Sequence, residues 1–309
     1  MKIEKKIYEI IFLVVLFILL VGCFVFGLFF DLKFSQSIYD KNSIFGMLFA
    51  SFGELPAWFM VSMGAVMLYK IASSYDVQYK KIICNSVAIL LVLFSTFMIY
   101  YCESSSWNGF SELTNSVVMI FIAVILQTIF LVIGFLLIKT EDRNLLWRGL
   151  ILFLGVVAVE IALIYGLKIL WDRPRYRLIY EGSDFYSVFD LFQSWWEPGD
   201  KLASQVFSGV PSEQFKSFPS GHTADAATSF LIFFLPSFND KFKKKISIRI
   251  IFVTLALIWT TVVALSRIVY GAHYITDVSF GFIVTIIVIL CGSVIVFKHQ
   301  KGNVNVKAD

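Results

Sequence analysis

Apolar runs long enough to cross a bilayer recur along nearly the whole chain, and nothing else in the sequence constrains the fold as much. Eight can be read, at roughly 10–30, 54–70, 82–101, 115–138, 146–168, 222–238, 249–266 and 275–297. In lipid every backbone N–H and C=O must be satisfied inside the segment, which a lone open strand cannot do. The expected fold is therefore all-α, a polytopic transmembrane bundle of about eight spans. Composition agrees: 58% of the 309 residues are hydrophobic and 33 are Phe, too apolar for a soluble domain of this length. The first run passes Leu20-Val21-Gly22-Cys23, which resembles a lipoprotein cleavage box, but continues through Phe30; it is read as a span, not a cleaved signal. Cys23, Cys84, Cys102 and Cys291 show no C-x-x-C pairing, so neither a disulfide framework nor a zinc site is indicated.

Charge gives the runs a direction. With the N-terminus in the cytoplasm and the sides alternating, one side collects Lys2, Lys5, Lys6, Lys70, Lys80, Lys81, Lys139, Arg143, Arg148, Lys241, Lys243, Lys244, Lys245, Arg249, Lys298, Lys301 and Lys307. These are 17 of the 26 basic residues, and the loop 102–114 on the other side has none. Basic loops favour the cytoplasm. The expected topology is a multi-pass cell-membrane protein with both termini cytoplasmic and the segment 169–221 outside. That segment carries Tyr176, Tyr180, Phe185, Tyr186, Phe189, Phe192, Trp195 and Trp196, with Asp184, Asp190, Glu197 and Asp200 among them. An interfacial aromatic belt and a lid over a site are both compatible with it.

Three polar sets border the later spans on the expected outer side. The first is Lys168, ending the fifth span, followed by Arg173 and Arg175. Cations do favour a helix C-terminus, yet an outer cluster runs against the charge rule. Guanidinium forks suit phosphate oxygens, and Lys adds a point charge. The second is Pro219-Ser220-Gly221-His222, opening the sixth span. Ser is a good N-cap, which is the plainer reading. The same turn also presents free N–H groups to an anion, with Gly221 allowing close approach and Ser220 able to donate. His222 is placed to give a proton to a leaving oxygen. The third is Ser266-Arg267, His273 and Asp277. On a helix, residues four apart share a face, so Asp277 could hold the His273 ring in one tautomer and leave the other nitrogen free to attack phosphorus. Arg267 adds a further phosphate clamp. A carboxylate at a membrane span is by default a functional candidate. Asp225, three after His222, could tune it or pair with a cation. Glu160, inside the fifth span, is expected to pair within the bundle.

Together these sets resemble the type 2 phosphatidic acid phosphatase (PAP2) superfamily, whose pattern runs Lys-x6-Arg-Pro, Pro-Ser-Gly-His, then Ser-Arg-x5-His-x3-Asp. The second and third motifs match in full. The first matches at Lys168 and Arg175 and departs at Tyr176, where Pro is usual, with Pro174 two residues earlier. The resemblance covers about 146–297 and implies a catalytic core there with its extracytoplasmic loop 169–221. It leaves 1–145 as four further spans, two of them beyond the usual six, and 298–309 as a cytoplasmic tail. It implies His273 as nucleophile, Asp277 orienting it, and His222 as general acid and then base. Lys168, Arg175, Ser220, Gly221 and Arg267 would hold the phosphate, with Arg173 as a supporting cation. No carboxylate cluster suited to magnesium accompanies the site, so no metal and no cofactor are expected. The implied partner is a lipid phosphate or diphosphate in the membrane, such as phosphatidate, phosphatidylglycerol phosphate or undecaprenyl diphosphate, and not a nucleic acid. A phosphotransferase would use the same residues with another acceptor. A lipid transporter would permit eight spans and intramembrane charge, but leaves two histidines among outer cations unexplained. Oligomeric state has no signal in the sequence.

Overall fold

The computed structural model describes residues 2–104, 115–182, 187–197 and 209–298, with side chains from Val14 to Phe297. Among these residues there are helices and loops and no strand. The order is α1 (Lys2–Ile38), α2 (Ile44–Phe52), α3 (Leu55–Ser73), α4 (Gln78–Ser104), α5 (Ser116–Leu137) and α6 (Arg143–Trp171). Two short helices follow, α7 (Tyr176–Glu181) and α8 (Val188–Leu191). Next come α9 (Gly221–Ala227), which runs on as a 3₁₀ helix over Thr228–Phe238, α10 (Ile246–Val269) and α11 (Ile275–Lys298). Phe185, Tyr186, Asp184 and Asp200 of the outer segment, most of the loop 102–114, the tail beyond Lys298 and the side chains of Lys2, Lys5 and Lys6 lie outside the described residues.

Seven helical stretches are long and apolar enough to cross a membrane: α1 from Val14, α2 with α3, α4, α5, α6 with α7, α10 and α11. The sixth expected span, 222–238, is not a single α-helix. It is seven α-helical residues followed by eleven in 3₁₀ form. The steeper 3₁₀ rise still carries it about 30 Å, the thickness of the hydrocarbon core. Its two ends show its direction. Gly221 faces the Lys168 ammonium near the end of α6, whereas Phe238 packs on Gly149 and Phe153 near the start of α6. The segment therefore runs antiparallel to α6 along its length.

α3 is the central helix. It packs against α4, α5, α6 and the 3₁₀ segment, and its residues from Ala57 to Leu68 are buried almost without interruption. In lipid, helices associate through close packing of small residues and through polar contacts, not through hydrophobic expulsion. Both occur here. A side chain at Gly64 would strike Leu154, and one at Gly134 would strike Met63 and Val66. Ser62, Ser95 and Gln127 join α3, α4 and α5 by buried hydrogen bonds, with the Ser95 hydroxyl 2.9 Å from Gln127 Oε1.

The two ends of the bundle differ in charge. At one end the Phe238 carbonyl accepts from the Lys139 and Thr140 amides, Arg143 and Lys80 lie over the Tyr75 ring, and the Lys241–Lys245 turn leads into α10. All three motif sets lie at the other end. There α11 is drawn against the Pro-Ser-Gly-His turn because Gly281 has no side chain: a Cβ would sit 2.5 Å from the Ser220 carbonyl oxygen. Gly155, in α6, has nothing within 4 Å of the same position. Gly281→Ala should lower the thermal midpoint in detergent, since forced overpacking typically costs about 1–3 kcal/mol. Gly155→Ala should raise it, by the roughly 0.5–1 kcal/mol that Ala gains over Gly in a helix. Equal shifts in the two variants would show that the approach of α11 to Ser220 is not close.

Candidate active site

α6 ends at Asp172, which takes the left-handed conformation (φ 45°). Asp is one of the residues that tolerates this region. The turn sends the next side chain, Arg173, into the bundle, where it is fully buried. All three of its nitrogens are engaged. Nε donates to the Gln193 carbonyl (2.8 Å), Nη1 to Thr276 Oγ1 (2.9 Å) and Asp277 Oδ1 (2.5 Å), and Nη2 to Asp31 Oδ2 (3.0 Å). Its face lies 4.2 Å from the Tyr274 ring centroid. Asp31 also accepts from the Thr276 amide and hydroxyl. Arg173 is thus committed to positioning Asp277, and Asp31 of α1 holds Arg173 from the far side.

Asp277 is the third residue of α11, and its Oδ2 accepts from the Tyr274 amide at the helix start (2.8 Å) and from the Ser217 hydroxyl (2.5 Å). His273 precedes the helix instead of sharing a face with Asp277. The tight turn before it needs Gly271 (φ 63°), where any side chain would meet Tyr39. His273 Nδ1 lies 2.5 Å from the Ser217 carbonyl oxygen and 3.8 Å from Asp277 Oδ2. The carboxylate is beyond hydrogen-bond length, so it acts on the ring through charge and through Ser217. A carbonyl can only accept, which puts the proton on Nδ1 and leaves the Nε2 lone pair bare. Burial pushes the His273 pKa down to about 3; Lys168 and Arg175 push the same way, against the pull of Asp277. The ring is therefore neutral near pH 7, as a nucleophile must be.

His222 is held by the N-terminal half. Its Nε2 is 2.9 Å from the Ala50 carbonyl oxygen, so Nε2 carries a proton, and its Nδ1 is 3.3 Å from Glu54 Oε1. Glu54 also accepts from the Cys102 thiol (3.1 Å). Arg267, His273 and Lys168 lie within electrostatic reach of His222. The Lys168 ammonium stands 3.2 Å from the position a Gly221 Cβ would occupy, so Gly221 makes room for the cation. The Ser220 hydroxyl caps α9 through the Thr223 amide, and the Ser220 amide donates to the Asp277 carbonyl (3.0 Å). Arg267 Nη1 donates to the Gly46 carbonyl (3.1 Å). The Nε atoms of Arg175 and Arg267 are buried with no hydrogen-bond partner among the described residues. Such donors suit an anion.

Several residues that sequence reasoning missed carry this arrangement. Ser217 links Arg173, His273 and Asp277; its amide donates to the Arg173 carbonyl (3.0 Å). Asp31 and Glu54 are lone acids near the ends of apolar runs, and that isolation is the signal that could have found them. Glu160 and Asp225 are both buried. Of the outer aromatic residues, Tyr176 is buried, and Phe192 and Trp195 pack on Tyr274 and Phe218, while Phe189 and Trp196 face outward. A cavity of about 330 Å³ lined by Arg177, Gln214 and Tyr270 opens beside the site; neither histidine lines it. Among the described residues no group of three or more His, Cys, Asp or Glu could hold a metal ion.

A membrane bundle with two histidines and three cations gathered at one end has a counterpart among known families: the family model described as PAP2 superfamily matches residues 148–301. The chain belongs to the PAP2 superfamily. No curated protein and no solved structure matches it.

The state of His273 can be read directly. Its 15N ring signals, identified by their loss in His273→Ala, should keep the neutral Nδ1–H pattern down to about pH 5, whereas an ordinary histidine is half protonated near about 6.5. The sign for stability follows. The unfolded chain takes up a proton that the folded chain refuses, so this contribution is fully present above about 6.5 and is lost as the pH falls from there towards the folded value. An imidazolium pattern for His273 at neutral pH would contradict the arrangement.

Proposed function

We propose that the protein is a membrane phosphatase that hydrolyses a lipid phosphate or diphosphate through a phosphohistidine intermediate. One observation carries this reading: Arg175, Arg267 and Lys168 surround a neutral His273 and a proton-bearing His222, and both arginines keep a buried Nε without a partner. His273 Nε2 attacks phosphorus, and the bond from phosphorus to the leaving oxygen breaks. His222 gives that oxygen its Nε2 proton. Water then attacks the phosphohistidine, losing its proton to His222, and phosphate leaves. Lys168, Arg175, Arg267 and the Ser220-Gly221 turn stabilise the five-coordinate state. Asp277 keeps the ring of His273 in register and offsets the positive charge it acquires.

A lipid substrate is supported by a groove of about 400 Å³ lined by Phe49, Ile232, Leu255, Ile258, Trp259 and Val262. Phe49 precedes Ala50, whose carbonyl holds His222, so an apolar tail in this groove leads up to the phosphate site. Inorganic phosphate should be released from lipid mono- or diphosphates by the purified protein. Release should persist in EDTA, because Asp277 is the one carboxylate among the motif residues proposed for the site and it is committed to protein partners. His273→Ala should abolish both release and phosphoenzyme. Loss of turnover in EDTA with recovery on adding Mg2+, or a phosphoenzyme trapped in His273→Ala, would refute the mechanism.

The reading puts the site on the outer face, because the basic loops gather at the opposite end of the bundle. A cysteine introduced at position 243 should resist impermeant thiol reagents added outside the cell. Ready labelling there would invert the topology.

A further inference from the structure

We propose that Glu54, at the start of α3 and outside every phosphatase motif, is the positioning carboxylate for His222. The proposal rests on the phosphatase reading above for its catalytic consequence, but its geometry stands separately. His222 Nε2 is hydrogen-bonded to the Ala50 carbonyl, and its Nδ1 stands 3.3 Å from Glu54 Oε1. A carbonyl accepts only, so Nε2–H is fixed. Nδ1 and the Glu54 carboxyl group, 3.3 Å apart, are then placed to share one further proton. The second oxygen of Glu54 is tied to Cys102 of α4, so the carboxyl group cannot turn away from the ring.

The site thus contains two histidine–carboxylate pairs of different origin. His273 and Asp277 belong to one motif. His222 and Glu54 come from opposite halves of the chain, 168 positions apart by their numbers. The backbone carbonyls of Ser217 and Ala50 set the two tautomers, and each carboxylate stabilises the imidazolium behind it when that forms. In the first step the leaving oxygen takes the place of the Ala50 carbonyl and receives the Nε2 proton. The Nδ1 proton stays in the bond to Glu54. In the second step the bare Nε2 takes a proton from the attacking water, and the ring returns to its starting state. Protons and charge balance without any other group. Glu54 touches neither substrate nor phosphorus, so its effect is exerted through His222 alone.

Two measurements test this. The first needs no activity. The wild-type protein should show a downfield proton resonance from the His222 Nδ1–Glu54 contact, assigned by its loss in His222→Ala. It should vanish in Glu54→Gln and survive in Glu54→Asp. The second compares a long-chain alkyl phosphate with p-nitrophenyl phosphate, whose leaving oxygen needs little help from an acid. Glu54→Gln should lower kcat on the alkyl phosphate about 10²-fold, the low end of what a general acid contributes. The loss on p-nitrophenyl phosphate should be smaller, and Glu54→Gln with His222→Ala should be no worse than His222→Ala alone. A resonance that persists in Glu54→Gln overturns the proposal. So do equal losses on both substrates that add to those of His222→Ala. If the wild-type protein releases no phosphate at all, the phosphatase reading fails, while the resonance still decides whether Glu54 and His222 are paired.

Discussion

The guanidinium of Arg173 is the joint on which the site depends. It ties the end of α6 to the start of α11 through Asp277 and Thr276, to α1 through Asp31, and to the outer segment through the Gln193 carbonyl. Asp277 in turn fixes Ser217, and the Ser217 carbonyl fixes His273. Removing one partner of such a buried set leaves an uncompensated charge, typically at about 3–5 kcal/mol. A charge placed this deep is therefore also a constraint: α1, α6 and α11 can come together only where all of its partners meet.

The two histidines are distinguished by their backbone acceptors more than by their own sequence neighbours. The carbonyl of Ser217 takes the proton of Nδ1 in one, and the carbonyl of Ala50 takes the proton of Nε2 in the other. The same side chain thus presents a bare nitrogen at one position and a proton at the other.

The helical spans were legible in the sequence because the length and apolarity that lipid demands are properties of contiguous residues. The motif residues were legible for a similar reason: their spacing is local. What was not legible is what the fold brings from far away. Asp31 and Glu54 stand alone in their segments, and the carbonyls of Gly46 and Ala50 have no sequence identity as acceptors. The expectation that His273 and Asp277 share a helix face follows from a four-residue spacing. It misplaces His273 because α11 begins only at Ile275, with Asp277 bonded to the helix start instead. For Arg173, composition gives the charge but not the direction, which the left-handed turn at Asp172 sets.

These long-range contacts explain what the early helices contribute. Packing is continuous across the boundary near residue 146: α3 lies on α6, and α1 lies on α11. Three motif residues find partners in α1–α3 or the turns between them, Arg173 in Asp31, Arg267 in the Gly46 carbonyl and His222 in Ala50 and Glu54. A core of the later helices alone would leave two guanidiniums and a histidine short of acceptors at the edge of a bilayer, where an unsatisfied polar group costs several kcal/mol. The first half of the chain supplies the acceptors that let the second half bury its cations together at one end of the bundle.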